Sequence, residues 1–100
     1  NRSIVAYDLD RSGAASNERT VVSGIPGVPD GLRVDEKGNL YVAAAGILVY
    51  TPEGKLLRII ELPETPSNCA FGDPDFQSLY ITARTSVYRV RLEVKGAVQY

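Results

Sequence analysis

Apolar residues along the chain fall in short bursts: Ile4 to Leu9, Thr20 to Val22, Leu32 to Val34, Leu40 to Ala45, Ile47 to Tyr50, Leu56 to Leu62, Cys69 to Phe71, Leu79 to Ala83 and Val87 to Leu92. They are rich in Val, Ile, Leu and Tyr, and nowhere does a 3.6-residue period persist, so each burst predicts a strand. Arg11-Ser12-Gly13, Glu36-Lys37-Gly38-Asn39, Thr51-Pro52-Glu53-Gly54 and Gly72-Asp73-Pro74-Asp75 separate them and are built of residues that start or close turns. Consecutive apolar residues, as in Leu56-Leu57 and Ile59-Ile60, predict sheets covered on both faces.

The bursts repeat. Pro29-Asp30-Gly31-Leu32-Arg33-Val34 aligns with Pro66-Ser67-Asn68-Cys69-Ala70-Phe71 at an offset of 37 residues, and Leu40-Tyr41-Val42 with Leu79-Tyr80-Ile81 at 39. Ile47-Leu48-Val49-Tyr50 matches Ile4-Val5-Ala6-Tyr7 at 43 and Val87-Tyr88-Arg89-Val90 at 40. A period near 40 residues is a mark of propeller blades. The fold expected is therefore all-β, about two blades of a β-propeller. Residues 1–24 form the outer half of one blade, 29–63 a complete blade and 66–100 most of a further one. Closure of a propeller typically takes four to eight blades. The remaining blades are expected from upstream sequence or from homo-oligomerisation, a trimer giving six.

Composition narrows the chemistry. With 44% hydrophobic residues and a net charge of -1 the chain has no electrostatic lean, so nucleic acid is not an expected partner. The longest apolar run, Leu40 to Tyr50, is about half of the ~20 residues a membrane helix needs and is broken by Gly46, so no membrane partner is expected either. Cys69 is the only cysteine, which rules out an internal disulfide and, with no export signal visible, fits a reducing, cytoplasmic setting. Histidine is absent, which removes imidazole ligands and the usual general base. Methionine is absent too, and the sequence is expected to be the tail of a longer chain.

The run Val28-Pro29-Asp30-Gly31-Leu32-Arg33-Val34-Asp35-Glu36-Lys37-Gly38-Asn39-Leu40-Tyr41-Val42-Ala43 resembles the strongest signature of the regucalcin (senescence marker protein), gluconolactonase and LRE-like family. Asn1 to Asp10, Asn68 to Gly72 and Leu79 to Thr82 resemble neighbouring segments of the same family in the same order. The resemblance implies a six-bladed propeller, here its C-terminal blades, that holds one divalent metal ion and hydrolyses sugar lactones. Ca or Zn is the ion implied first, with Mg or Mn as further choices. Asp30 matches the aspartate of the family's Pro-Asp-Gly turn and takes from it the role of metal ligand and of a base that accepts a proton from water. The family's Glu ligand, its main Asn ligand and its substrate-contacting Arg and Asn belong to earlier blades.

Other readings stay open on the residues alone. An Asp followed by Gly is also what a β-turn selects for backbone reasons. Asn68, one repeat after Asp30, is a weaker channel-facing candidate whose side chain can equally cap its own turn. Asp73 and Asp75 read as a solvated turn, Arg84, Arg89 and Arg91 as outward charges, and Cys69 as a buried apolar side chain. A non-catalytic propeller fragment serving as an oligomeric binding scaffold, and a hydrolase of other esters or phosphoesters, are the alternatives to a lactonase.

Overall fold

The computed structural model describes residues 2–97. Asn1 and the last three positions of the predicted 66–100 unit lie outside the described residues. Nine strands follow in order: β1 (Ile4–Leu9), β2 (Ala15–Val22), β3 (Leu32–Val34), β4 (Leu40–Ala43), β5 (Ile47–Tyr50), β6 (Leu56–Ile60), β7 (Asn68–Gly72), β8 (Ser78–Thr82) and β9 (Val87–Arg91). They make three antiparallel meanders: a two-stranded sheet β1-β2, a four-stranded sheet β3-β4-β5-β6 and a three-stranded sheet β7-β8-β9. Among the described residues no helix is long and apolar enough to cross a membrane.

The four-stranded sheet is the middle layer. In β4 and β5 Tyr41, Val42, Ala43, Ile47, Leu48, Val49 and Tyr50 are all buried, which is why these strands read as unbroken apolar runs. Successive side chains take opposite faces. Tyr41, Ala43, Ile47, Val49 and Ile60 pack with Cys69, Phe71, Leu79 and Ile81 of the three-stranded sheet. Val42, Ala44, Leu48 and Tyr50 pack on the other face with Val22 and Ile25. Tyr41 and Phe71 meet edge to face with centroids 5.2 Å apart, an arrangement favoured by their ring quadrupoles. The outermost strand departs from the two-faced expectation: Leu56, Leu57 and Ile59 are 43%, 51% and 46% exposed.

Three hairpins are closed by one five-residue turn. In Asp10–Ala14, Asp35–Asn39 and Thr51–Lys55 the first residue's carbonyl accepts from the fourth residue's N–H at 3.0, 3.0 and 2.9 Å. Its side-chain oxygen accepts from the fifth residue's N–H at 2.9, 3.0 and 3.0 Å. The fourth residue is Gly13, Gly38 or Gly54, with φ of 88°, 84° and 92°, a region that glycine alone enters without steric cost. In the β7–β8 turn Phe76 takes that place with φ 59° and its N–H donates to the Asp73 carbonyl at 2.9 Å, while the fifth residue's N–H, that of Gln77, goes to Asp75 Oδ1 at 3.1 Å instead. The Phe76 ring lies 6.0 Å from that of Phe71, so apolar burial offsets the backbone conformation.

Two features depart from the sequence pattern. The polar stretch Ala15 to Arg19 extends the predicted Thr20–Val22 strand, because a strand paired on one side and exposed on both faces needs no apolar residues. A bulge at Asn17, with φ 54°, absorbs the extra residue between the Ala6–Arg19 and Asp8–Ser16 pairs. The segment after β9 turns back: Glu36 N–H donates to Lys95 O at 2.7 Å and Ala97 N–H to Val34 O at 2.9 Å. These bonds add a short strand to the free edge of β3, and buried Gly96 lies so close to Phe71 that a Cβ would strike the ring.

Asp35 is 1% exposed and accepts from Lys37 N–H (2.8 Å), Asn39 N–H (3.0 Å), Asn39 Nδ2 (3.0 Å) and the Tyr41 hydroxyl (3.0 Å). Burial, followed by this bond to Asp35, raises the Tyr41 phenol well above its ordinary pKa. Asp35→Ala strands several buried donors at once and is expected to cost about 3 kcal/mol in urea unfolding. Thr51→Ala, at the equivalent but exposed turn, is expected to cost about 1 kcal/mol or less.

Candidate functional site

Asp30 precedes β3, at the end of that strand opposite the Asp35 turn. Its N–H donates to Ala43 O at 2.8 Å, and Ala43 N–H donates to Gly31 O at 2.8 Å, so the β3–β4 ladder runs on past Leu32 and fixes the backbone under the carboxylate. The side chain is exposed. Gly31 N–H then crosses to the neighbouring sheet and donates to Ser67 O at 3.0 Å. A Cβ on Gly31 would overlap Asn68, so glycine is required here because two backbones meet. β3 and β7, the first strands of their sheets, therefore touch at their starts and bring Asp30 and Asn68 to one rim.

Asn68 is exposed, and its Oδ1 accepts from the Cys69 N–H at 2.8 Å, which orients the amide and leaves one lone pair. Ser67 and Thr82 close the same end, with hydroxyl oxygens 3.1 Å apart. The rim thus offers a carboxylate and an amide oxygen, donors suited to a hard divalent cation. Among the described residues no group of three or more His, Cys, Asp or Glu is placed to hold a metal ion. Calcium takes six to eight oxygens, so the rim fits such an ion as part of a larger ligand set.

Cys69 is 3% exposed and its thiol is pushed up to about 11 by burial, so it stays protonated and unreactive. A cavity of about 180 Å³ lies directly beside the rim, lined by Arg33, Asn68, Cys69, Ala70, Tyr80 and Thr82. A larger one of about 280 Å³ lies at the other end of β3 around Asp35, Tyr41 and Arg58. Its buried acid is already saturated by turn donors, so the smaller cavity is the one next to available chemistry.

Asp73 and Asp75 are not a merely solvated turn, and Arg89 and Arg91 are not simply outward charges. Arg89 donates to Asp73 Oδ2 from Nε at 3.0 Å and from Nη2 at 2.6 Å. Arg91 grips Asp75 with both Nη atoms, at 3.1 and 2.6 Å, and reaches Ser78 Oγ at 2.7 Å. Tyr80 donates to Asp73 Oδ1 at 2.5 Å. The two acids sit in the β7–β8 turn and the two arginines alternate on β9, so antiparallel register aligns them across the sheet. That register is absent from the sequence pattern; the alternation of Arg89 and Arg91 was its only signal. Bonds from Ser78, then Tyr80 and Arg89, hold Asp73 far below the usual carboxylate range, and Arg91 takes Asp75 down to about 2. Thr85 and then Tyr88 lower Glu64 to about 2 in the same way.

These distances define a class of protein: antiparallel meanders, one of them a four-stranded unit, set side by side with the first strands β3 and β7 converging, as in a β-propeller. Residues 1–85 match the family described as the SMP-30/Gluconolactonase/LRE-like region, and the chain belongs to that family. It is 37% identical to a gluconolactonase of Zymomonas mobilis over 105 aligned residues, covering 93% of this chain and 29% of that protein. It is 39% identical to the regucalcin of Danio rerio over 88 residues, covering 80% and 30%. The structure of a gluconolactonase from Xanthomonas campestris superposes with a TM-score of 0.76 at 35% identity, over 90% of this chain and 29% of that one. The chain thus spans about 30% of the length of the curated relatives it matches first.

Each of the three acids has a folded pKa below its unfolded value near 4, so its stabilisation is fully present above about pH 5 and is lost as pH falls toward 2. The melting temperature is expected to drop between pH 5 and pH 2.5. Arg89→Ala/Arg91→Ala, measured over the same range, is expected to show a shallower drop.

Proposed function

We propose that this chain is the C-terminal part of a metal-dependent hydrolase of sugar lactones, with Asp30 as a metal ligand and proton acceptor. The observation that carries the reading is the convergence of Asp30 and Asn68 on one rim, through the Gly31–Ser67 bond, in a chain that belongs to a family with gluconolactonase relatives. Residues 1–24, 29–63 and 66–100 are read as the outer half of a blade, a complete blade and most of another. The ligands that complete the set come from other blades. The single buried thiol suits a reducing, cytoplasmic setting.

A divalent ion, calcium or zinc first, with magnesium or manganese as further choices, would supply polarisation of the lactone carbonyl and a lowered pKa for a bound water. Asp30 would hold the ion with one oxygen and take up the proton released from water with the other. Asn68 would contribute a neutral amide oxygen, and Gly31 would keep the two strand starts close enough for both side chains to reach one point. The anchored backbone of Asp30, bonded to Ala43 and followed by the Gly31–Ser67 link, leaves only side-chain rotamers to be fixed on binding.

In the full-length protein Asp30→Asn is expected to lower kcat/KM for D-glucono-1,5-lactone at least 100-fold and to weaken calcium or zinc binding, with the melting temperature of the metal-free protein unchanged. Activity within a few-fold of wild type sinks the assignment. The second reading, an oligomeric binding scaffold, draws on the incomplete ligand set among the described residues. Light scattering on residues 1–100 alone separates the two. A stable trimer without lactonase activity supports the scaffold, and a monomer or aggregate supports a dependence on upstream blades.

A further inference from the structure

We propose that Arg33 makes this site selective for lactones that carry an anionic group, a phosphate or carboxylate, at the end of the chain remote from the ring carbonyl. The inference rests on the lactonase reading. Arg33 lies in β3 three residues after Asp30, about 10 Å further along the strand. Its cross-strand partner is Tyr41, so it shares the face of Gly31 and Asp35 that turns toward β7. The ~180 Å³ cavity beside the rim has Asn68 at its edge and Arg33 as its one charged lining residue.

The guanidinium is under-used. Arg33 is half-buried, and Nη1 donates to Leu32 O at 2.9 Å, one bond for a group with five N–H donors. The ion pairs among the described residues belong to Arg19, Arg89 and Arg91, and none reaches Arg33. The other lining groups supply no counter-charge: Cys69 is a neutral thiol, and the Tyr80 hydroxyl is committed to Asp73, whose charge Arg89 already balances. A planar fork of free donors lining a cavity selects an oxyanion and holds it bidentately. A phosphate on the terminal carbon of a lactone bound at the rim would be the substrate group for this guanidinium to reach back and take.

The test uses the full-length protein, titrated calorimetrically with gluconate and with its 6-phosphate. Wild type is expected to bind the phosphorylated acid at least tenfold tighter. Arg33→Gln is expected to bring the ratio to within twofold, and Arg33→Lys to keep an intermediate one. Calcium affinity and kcat/KM for the unphosphorylated lactone are expected to stay within twofold in both variants. Equal binding of the two acids by wild type overturns the proposal. So does a parallel loss of metal affinity and of both acids in Arg33→Gln, which would show that the arginine pairs with a carboxylate of the protein itself. If neither lactone is hydrolysed the enzyme reading fails, and the binding ratio still decides the role of Arg33.

Discussion

Everything in this chain depends on burying the middle sheet on both faces. β4 and β5 present apolar side chains above and below, so neither face can be left to water, and each neighbouring sheet stabilises the middle one by covering it. Ile47 and Leu79, both 0% exposed, show how complete that cover is toward the three-stranded sheet. Truncation of either to Ala would remove several methyl groups from a closed contact, a change of about 3 kcal/mol. The angle between sheets follows from this packing, and so does the meeting of β3 and β7 at their starts.

The rim is a by-product of that convergence. A residue before the first strand of any sheet in such a stack lies where neighbouring sheets come closest, so chemistry is assembled one residue per repeat. By the offset of 37 residues Asp30 is equivalent to Ser67, whose N–H donates to Thr82 O as that of Asp30 does to Ala43 O, and Asn68 is equivalent to Gly31, so Asp30 and Asn68 reach the rim from neighbouring slots. Asp30 has an engaged backbone and an exposed carboxylate, whereas the amide of Asn68 is partly used by its own strand. The rim is thus lined by a carboxylate from one repeat and by an amide, one slot further on, from the next.

Much of this was legible in the sequence. Burst length and turn residues mark the strands, and the repeat offset of 37 sets Asp30 in register with Ser67, one residue before Asn68. The Asp-x-x-Gly-x turns were visible as punctuation, although their shared hydrogen bonding was not. What escaped were features with no local signature. The polar strand from Ala15 to Arg19 lacks the apolar alternation that identifies strands. The Arg89–Asp73 and Arg91–Asp75 pairs depend on register across 16 residues. Nothing local in the sequence distinguishes Arg33 from the other charges, because the cavity beside it is made by β7 and β8.

The pairing of Lys95 to Ala97 with the edge of β3 has a consequence for the order of events during synthesis. Lys95 N–H also donates to the Glu36 carboxylate across 59 residues of sequence. The first strand of the middle sheet therefore emerges with that edge bare and stays so until the last segment follows. Closing a loop of that length costs little more than closing one half as long, since the entropy grows only with its logarithm. It cannot, however, happen before the residues exist. During that interval the exposed edge is open to foreign strands, and the chain's own late arrival is what seals it.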